Sequence, residues 1–188
     1  MANVSFELPE TIETERLIIR PPRPGDGAAV NEAVRESFAE LHRWMIWAKE
    51  VPTPEASEEN VMAAVAKFAA REDLRLHLYD KASGALVGSS GLHAIDWAVP
   101  KCEIGYWMRT SRAGQGYATE SAAAIAELAL ATLGARRVEI RVDPLNERSW
   151  RVAERLGFTL EGTLRNDDRG PDGRLRDVRI YAKVTADR

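Results

Sequence analysis

Gly114 and Gly116 stand in the run Gly114-Gln115-Gly116-Tyr117-Ala118-Thr119-Glu120, between an alternating apolar segment and an alanine-rich one. A glycine-bearing turn of this kind lets successive backbone N–H groups point outward together, with the positive end of a following helix behind them. Such a turn can hold a phosphate or pyrophosphate, because no side chain blocks the close approach. An ordinary turn ahead of a helix uses the same residues, so the glycine pair alone leaves both readings open. Other reactive groupings are absent from the sequence. His42, His77 and His93 are far apart and have no metal-ligand spacing, and with Cys102 the only cysteine no metal site is expected. His77 falls in an alternating strand and His93 near a strand end, which points to structural roles. No Gly-x-Ser-x-Gly elbow occurs and no histidine lies near Cys102 in sequence, which argues against nucleophilic hydrolysis.

The elements around the turn can be read from periodicity. Leu17-Ile18-Ile19-Arg20 predicts a strand stopped by Pro21, Pro22 and Pro24. Asp26 is placed to cap a helix to about Phe38, with Ala29, Val30, Ala33 and Val34 inward. Leu41 to Ala48 predicts a short second helical piece, and a third helix starts after Ser57 and ends near Arg71. Leu74, Leu76 and Leu78 alternate with polar residues, the mark of a strand with one buried face. Ala82-Ser83-Gly84 turns into a strand from Leu86 to His93, and Cys102 to Met108 is the strand that feeds the glycine turn. The helix after that turn runs to about Leu133. Arg137 to Val142 is a further strand ended by Asp143-Pro144, and Asn146 to Leu156 a helix closed by Gly157. Phe158 to Leu164 and Val178 to Val184 form a hairpin around Gly170-Pro171-Asp172-Gly173. The order predicts an α/β domain with a mixed, mostly antiparallel twisted sheet flanked by helices.

Composition narrows the function classes. The 188 residues suit one domain, 1–188, with no internal linker. Lys+Arg 26 against Asp+Glu 29 gives a formal charge of −3, so neither nucleic acid nor an anionic membrane is an expected partner. No apolar stretch is long enough to span a bilayer and Met1 to Ser5 carries no leader pattern, while one cysteine suits a reducing, cytoplasmic setting. The Asn3-Val4-Ser5 glycosylation match is read as chance.

Several motifs in order give the chain a family likeness. The strand Glu103-Ile104-Gly105-Tyr106-Trp107, the Gly-x-Gly-x-Ala turn, Asn146-x-x-Ser149 and Leu156-Gly157-Phe158 resemble the GNAT N-acetyltransferases. Thr14-Glu15-Arg16-Leu17 and Asp177 to Tyr181 resemble the RimJ/RimL-like branch, which acetylates protein N-terminal amines. The likeness covers about Thr14 to Val184. One departure is Ala113, where the family's loop often carries Arg or Gln three residues before its essential glycine; Arg112 stands one residue earlier.

The resemblance implies acetyl-CoA between the strands that end at Arg109 and Asp143. Backbone N–H groups of Ala113, Gly114, Gln115, Gly116, Tyr117 and Ala118 would hold the pyrophosphate. Backbone groups around Trp107, Met108 and Arg109 would align the pantetheine arm and polarise the thioester carbonyl. Asn146 offers an amide to pantetheine as well as a helix cap, and Ser149 becomes the candidate acid for the departing thiolate. Asp168 matches the position of the branch's glutamate base, one methylene shorter, and ranks first as base; Glu103 on the central strand ranks as water-holder or alternate. Trp44 and Trp47 fall in an aromatic segment whose helical spacing alone reads as core packing and which in the branch borders the acceptor groove, where a tryptophan would touch substrate.

The function expected is transfer of acetyl from acetyl-CoA to a primary amine, first a protein or peptide α-amine, by a monomer or homodimer. A small amine such as an amino acid, polyamine or antibiotic is the alternative acceptor. A non-catalytic acyl-CoA-binding module is a third reading, disfavoured by Ser149, Asn146 and the two carboxylates. A dinucleotide-binding fold fits worse, since Thr119 stands where a third glycine or alanine belongs.

Overall fold

The computed structural model describes residues 8–185, so Asn3-Val4-Ser5 lies outside the described residues. The chain order is β1 (Ile12–Glu13), β2 (Leu17–Arg20), α1 (Gly27–Trp44), α2 (Pro54–Ala69), β3 (Leu74–Asp80), β4 (Leu86–Asp96) and β5 (Lys101–Met108). It continues with α3 (Tyr117–Glu127), β6 (Arg137–Val142), α4 (Glu147–Arg155), β7 (Thr159–Arg169) and β8 (Leu175–Val184). The strands form one 8-stranded sheet ordered β1-β2-β3-β4-β5-β6-β8-β7. Every neighbouring pair is antiparallel except β5 with β6, which run parallel. The α/β class and the mostly antiparallel mixed sheet are therefore as the sequence predicts.

The core forms where the alternating strands meet the small-residue face of α3. Ala122, Ile125, Ala126 and Ala129 are buried against Ile104, Val138 and Ile140. Alanine on that face lets the helix lie close to the sheet, and close-packed apolar contact is what holds it there. The helix ends in a π-helical turn, Leu128–Thr132, rather than running regularly to Leu133.

Three local predictions need correction. The first helix is not broken at Phe38 but continues to Trp44, absorbing the first half of the expected Leu41 to Ala48 piece, and the rest of that piece is not helical. The apolar spacing falters at Ser37, yet Ser37 is buried and its hydroxyl accepts the Thr110 N–H at 2.8 Å, so a polar residue belongs to the inner face. The next helix begins at Pro54, capped by Thr53, which accepts the Ala56 N–H at 3.1 Å. Ser57 lies inside that helix, its hydroxyl taken by the Asn31 amide at 3.0 Å.

Asp26 occupies the position before α1 but its side chain caps nothing. It turns inward, bound by both Arg20 guanidinium nitrogens (2.7 and 2.8 Å), the Arg23 N–H (2.8 Å) and His77 Nδ1 (3.0 Å). Burial pushes the Asp26 carboxyl up, but the Arg20, Arg23 and His77 hydrogen bonds outweigh it and hold it well below the carboxylate range. Burial lowers the His77 pKa against the pull of Asp26, so the ring is neutral inside. Both groups bind protons less readily folded than unfolded. The His77 contribution is complete above about pH 6.5 and falls away below it; the Asp26 contribution falls away below about pH 4. Asp26→Ala, which strips Arg20 of its partner, should cost about 3–5 kcal/mol at neutral pH. Urea melts of parent and variant check this, and an unchanged midpoint would remove Asp26 from the account of stability.

Candidate active site

The sheet opens between β5 and β6. Parallel pairing holds only at Lys101–Arg137, Cys102–Val138 and Glu103–Glu139. Beyond Glu103, β5 stays with β4 as far as Met108, while β6 follows β8 as far as Val142. The Arg109 N–H bonds Val87 C=O at 2.8 Å, and an antiparallel ladder alternates, so Trp107 also faces its main-chain groups toward β4. The main-chain groups of Tyr106 and Met108 face the gap instead. An amide-bearing arm laid in the gap would complete β5 as a missing strand would. The expectation for backbone groups around Trp107, Met108 and Arg109 is thus narrowed to Tyr106 and Met108. The Arg109 side chain turns to α1, where it pairs with Glu32 and Glu36.

The glycine turn closes one end of this gap. Gly114 and Gly116 have φ of 75° and 88°, a region that side chains disfavour, and Gly116 is the residue from which α3 springs. The Ala113 N–H is taken by Thr110 C=O at 3.1 Å, which removes Ala113 from the expected set. The N–H groups of Gly114, Gln115, Gly116, Tyr117 and Ala118 have no protein acceptor among the described residues. Glu120, in the first turn of α3, would repel an anion there, but Arg16 neutralises it. The Arg16 side chain donates to Glu120 (2.7 Å) and to Gln115 C=O (2.8 Å) and stacks on the Tyr117 ring (4.5 Å). Arg16 was legible only as part of a motif; it braces the turn and cancels the Glu120 charge beside it. The Tyr117 side chain is structural, with its hydroxyl on Asp80 at 3.0 Å.

At the other end, a cavity of ≈ 850 Å³ brings together Trp44, Trp47, Glu103, Asn146, Ser149 and Asp168. Asn146 caps α4, its side-chain oxygen accepting the Ser149 N–H at 3.3 Å, and its amide nitrogen is left to bond outward. Tyr106, to which sequence reading gives no separate role, donates to Ser149 C=O at 2.9 Å and lies 3.1 Å from Ser149 Oγ. Burial pushes the Tyr106 phenol up to about 12, so it keeps a proton that it can share between the Ser149 carbonyl and the Ser149 hydroxyl, which leaves the Ser149 proton free to point into the cleft.

The two carboxylates differ. Burial raises the Glu103 pKa, with Glu139 and Asp168 adding to it against Arg141 and His93. Asp168 is exposed at the rim, one oxygen accepting the Arg169 N–H at 2.7 Å. It lies in β7, not in a loop: the strand runs to Arg169 past a register shift between Leu164 and Asp168. Asn166 sits within that bulge at φ 53°, its N–H on Asp177 at 3.0 Å, and the bulge re-aims Asp167 and Asp168. Asp167 in turn pairs with Arg141. Trp44 ends α1 between Arg43 and Arg176, and Trp47 faces the Trp107 ring with centroids 6.3 Å apart.

A sheet opened in this way defines a class: transferases that lay the arm of an acyl thioester between two parallel strands and meet the acceptor from the helical side. The family described as "Acetyltransferase (GNAT) domain" matches residues 16–159, and the chain belongs to it. It is an acetyl-CoA-dependent N-acetyltransferase. The N-acetyltransferase p20 of Bacillus licheniformis is 27% identical over 175 residues, 92% of this chain and 95% of its own. The ribosomal-protein-serine acetyltransferase of Escherichia coli (strain K12) is 32% identical over 99 residues, 53% of this chain and 55% of its own. Among solved structures, RimL, a ribosomal L7/L12 alpha-N-protein acetyltransferase in complex with coenzyme A, superposes with a TM-score of 0.87. It is 24% identical and the match covers 93% of this chain and 98% of RimL.

Proposed function

We propose that this enzyme acetylates the N-terminal α-amine of a protein or peptide, with ribosomal proteins as the acceptor class. The observation that carries this reading is the wide acceptor side of the cavity. Exposed Trp47 and Ile46 offer apolar contact at its mouth, while Glu103, Asp167, Asp168 and Asp177 line its depth and rim. That combination suits an extended peptide entering ammonium first, its following side chains resting on the indole. The activities named for the Escherichia coli relative and for RimL are of the same kind. Ribosomal acceptors imply a cytoplasmic setting.

Acetyl-CoA supplies the activated acetyl group. The N–H groups from Gly114 to Ala118 hold its pyrophosphate and Asn146 its pantetheine amide. The Met108 main-chain N–H polarises the thioester carbonyl, a donor fixed in place before charge develops. Ser149 donates its hydroxyl proton to the leaving sulfur, oriented by Tyr106. Trp44 and Trp47 frame the acceptor, and the Glu103 and Asp168 carboxylates draw in its ammonium group. A panel of ribosomal-protein N-terminal peptides, polyamines, free amino acids and aminoglycosides, assayed for coenzyme A release, tests the acceptor class. The peptides should give the highest kcat/KM. A small amine that exceeds every peptide would overturn the assignment.

A further inference from the structure

His93 and Asp73 form a pair that the acetyl-transfer chemistry above leaves unused. His93 lies on β4 directly across from Glu103 on β5. Its Nδ1 is 2.7 Å from Asp73 Oδ2, and both residues line the same cavity as Glu103 and Ser149. Burial pushes the Asp73 carboxyl up, but the His93 hydrogen bond and the charges of His93, Arg75 and Lys67 outweigh it, so the group is ionised. An ionised carboxylate only accepts, so Nδ1 carries the proton and Nε2 is the basic nitrogen. No protein group among the described residues takes Nε2.

The ring position is set by Gly105. A Cβ there would stand 3.1 Å from His93 Cδ2 and 3.3 Å from Nε2, so the nitrogen edge of the ring rests on the β5 backbone. Gly105 is the residue between Glu103 and Trp107 on the acceptor face, just past the point where β5 and β6 part. The free nitrogen is therefore held at the reacting end of the cleft, and the ring is one-third open to solvent, 33% by side-chain area.

We propose that His93, oriented by Asp73, accepts the proton of the acceptor amine, directly or across one water, with Glu103 beside it as the fixed counter-charge. The proposal rests on the acetyl-transfer reading. Protons and bonds balance as follows. His93 Nε2 takes one of the three ammonium protons and becomes imidazolium, paired with Asp73 and facing Glu103. The freed nitrogen lone pair forms the N–C bond to the acetyl carbon as the C–S bond breaks. Ser149 gives its hydroxyl proton to sulfur and takes the second proton from the new amide nitrogen. The third proton stays on the amide, and His93 returns its own to solvent. An imidazole is the better match for this step than a carboxylate. On reference values it lies about two units nearer an α-ammonium than a glutamate does. Asp73 meets the ring from the β3 side, with Arg75 and Lys67 acting through it, and Glu103 faces the ring from β5, with Arg141 and Glu139 on β6 and Asp168 on β7 acting through Glu103.

The test uses His93→Gln, Asp73→Asn and Glu103→Gln in the full chain. Coenzyme A release from an α-amine peptide is followed from pH 6 to 9, and the His93 ring is titrated by NMR. His93→Gln should lower kcat/KM by about 10²–10⁴-fold near neutral pH, the loss shrinking as free amine becomes abundant. Binding of acetyl-CoA should be unchanged. Asp73→Asn removes the charge that favours imidazolium, so the His93 NMR midpoint and the acidic limb of the rate profile should move to lower pH together. A His93→Gln profile that overlays the parent overturns the proposal, as does a limb abolished by Glu103→Gln and untouched by Asp73→Asn. If His93→Gln does not fold, the Asp73→Asn comparison of NMR midpoint and rate limb decides alone. An inactive parent would overturn the acetyl-transfer reading, and this inference with it; an active parent with an unchanged limb overturns this inference only.

Discussion

Gly116→Asp should weaken coenzyme A binding on the order of 100-fold or more, while a Gly116→Ala control weakens it far less. Five N–H groups from Gly114 to Ala118 stand free of protein acceptors among the described residues at the start of α3. Charge-assisted hydrogen bonds are worth about 1.5–3 kcal/mol each, so losing two of them suffices for that factor. The aspartate acts twice: it forces a side chain into φ 88° and sets a carboxylate where the pyrophosphate lies. Alanine keeps only the backbone strain, on the order of 1–2 kcal/mol, which appears as a lower melting temperature. A Cβ at this position stands 3.2 Å from an Arg16 guanidinium nitrogen, which has to give by a few tenths of an ångström within its contacts to Glu120 and Gln115. Calorimetric titration with coenzyme A, alongside thermal melts of both variants, separates charge from strain. Equal affinities for the parent and a folded Gly116→Asp would show that the pyrophosphate lies elsewhere.

The second large effect is expected at Ser149. Ser149→Ala should reduce kcat by about 10²–10⁴-fold, the range for a lost proton donor, without raising the KM for acetyl-CoA. The backbone role of the position survives the change, since the Ser149 N–H stays on Asn146 and its carbonyl still accepts from Tyr106. Tyr106→Phe should give a smaller loss of kcat, because it removes the group that orients the hydroxyl but not the hydroxyl itself. Full kcat in Ser149→Ala, with only a slightly lower melting temperature, would reduce Ser149 to a first-turn serine of α4.

The elements that build the cleft were legible because their apolar spacing is local. Leu74, Leu76 and Leu78 or Val138, Ile140 and Val142 announce a strand whatever lies beside it, and Gly157 announces a helix end. The contacts that tune the site were not legible, since they join residues far apart in sequence. Arg16 meets Glu120 across the turn, and Asp73 meets His93 across β3 and β4. Tyr106 reads as one more aromatic in a strand until α4 is packed over it. Asp168 owes its place to the Asn166 bulge, which no alternation pattern reveals. Ser37 and Ser57 look like helix boundaries in a hydropathy pattern and are instead buried partners within helices.

The central claim is that the acetyl group goes to a peptide α-amine that enters the cavity first. A peptide with a free N-terminus and one internal lysine, incubated with the enzyme and acetyl-CoA and sequenced by fragmentation mass spectrometry, tests it directly. Acetylation of the α-amine alone is the expected result. Acetylation of the lysine ε-amine, or an unmodified peptide beside a rapidly acetylated polyamine, would contradict it.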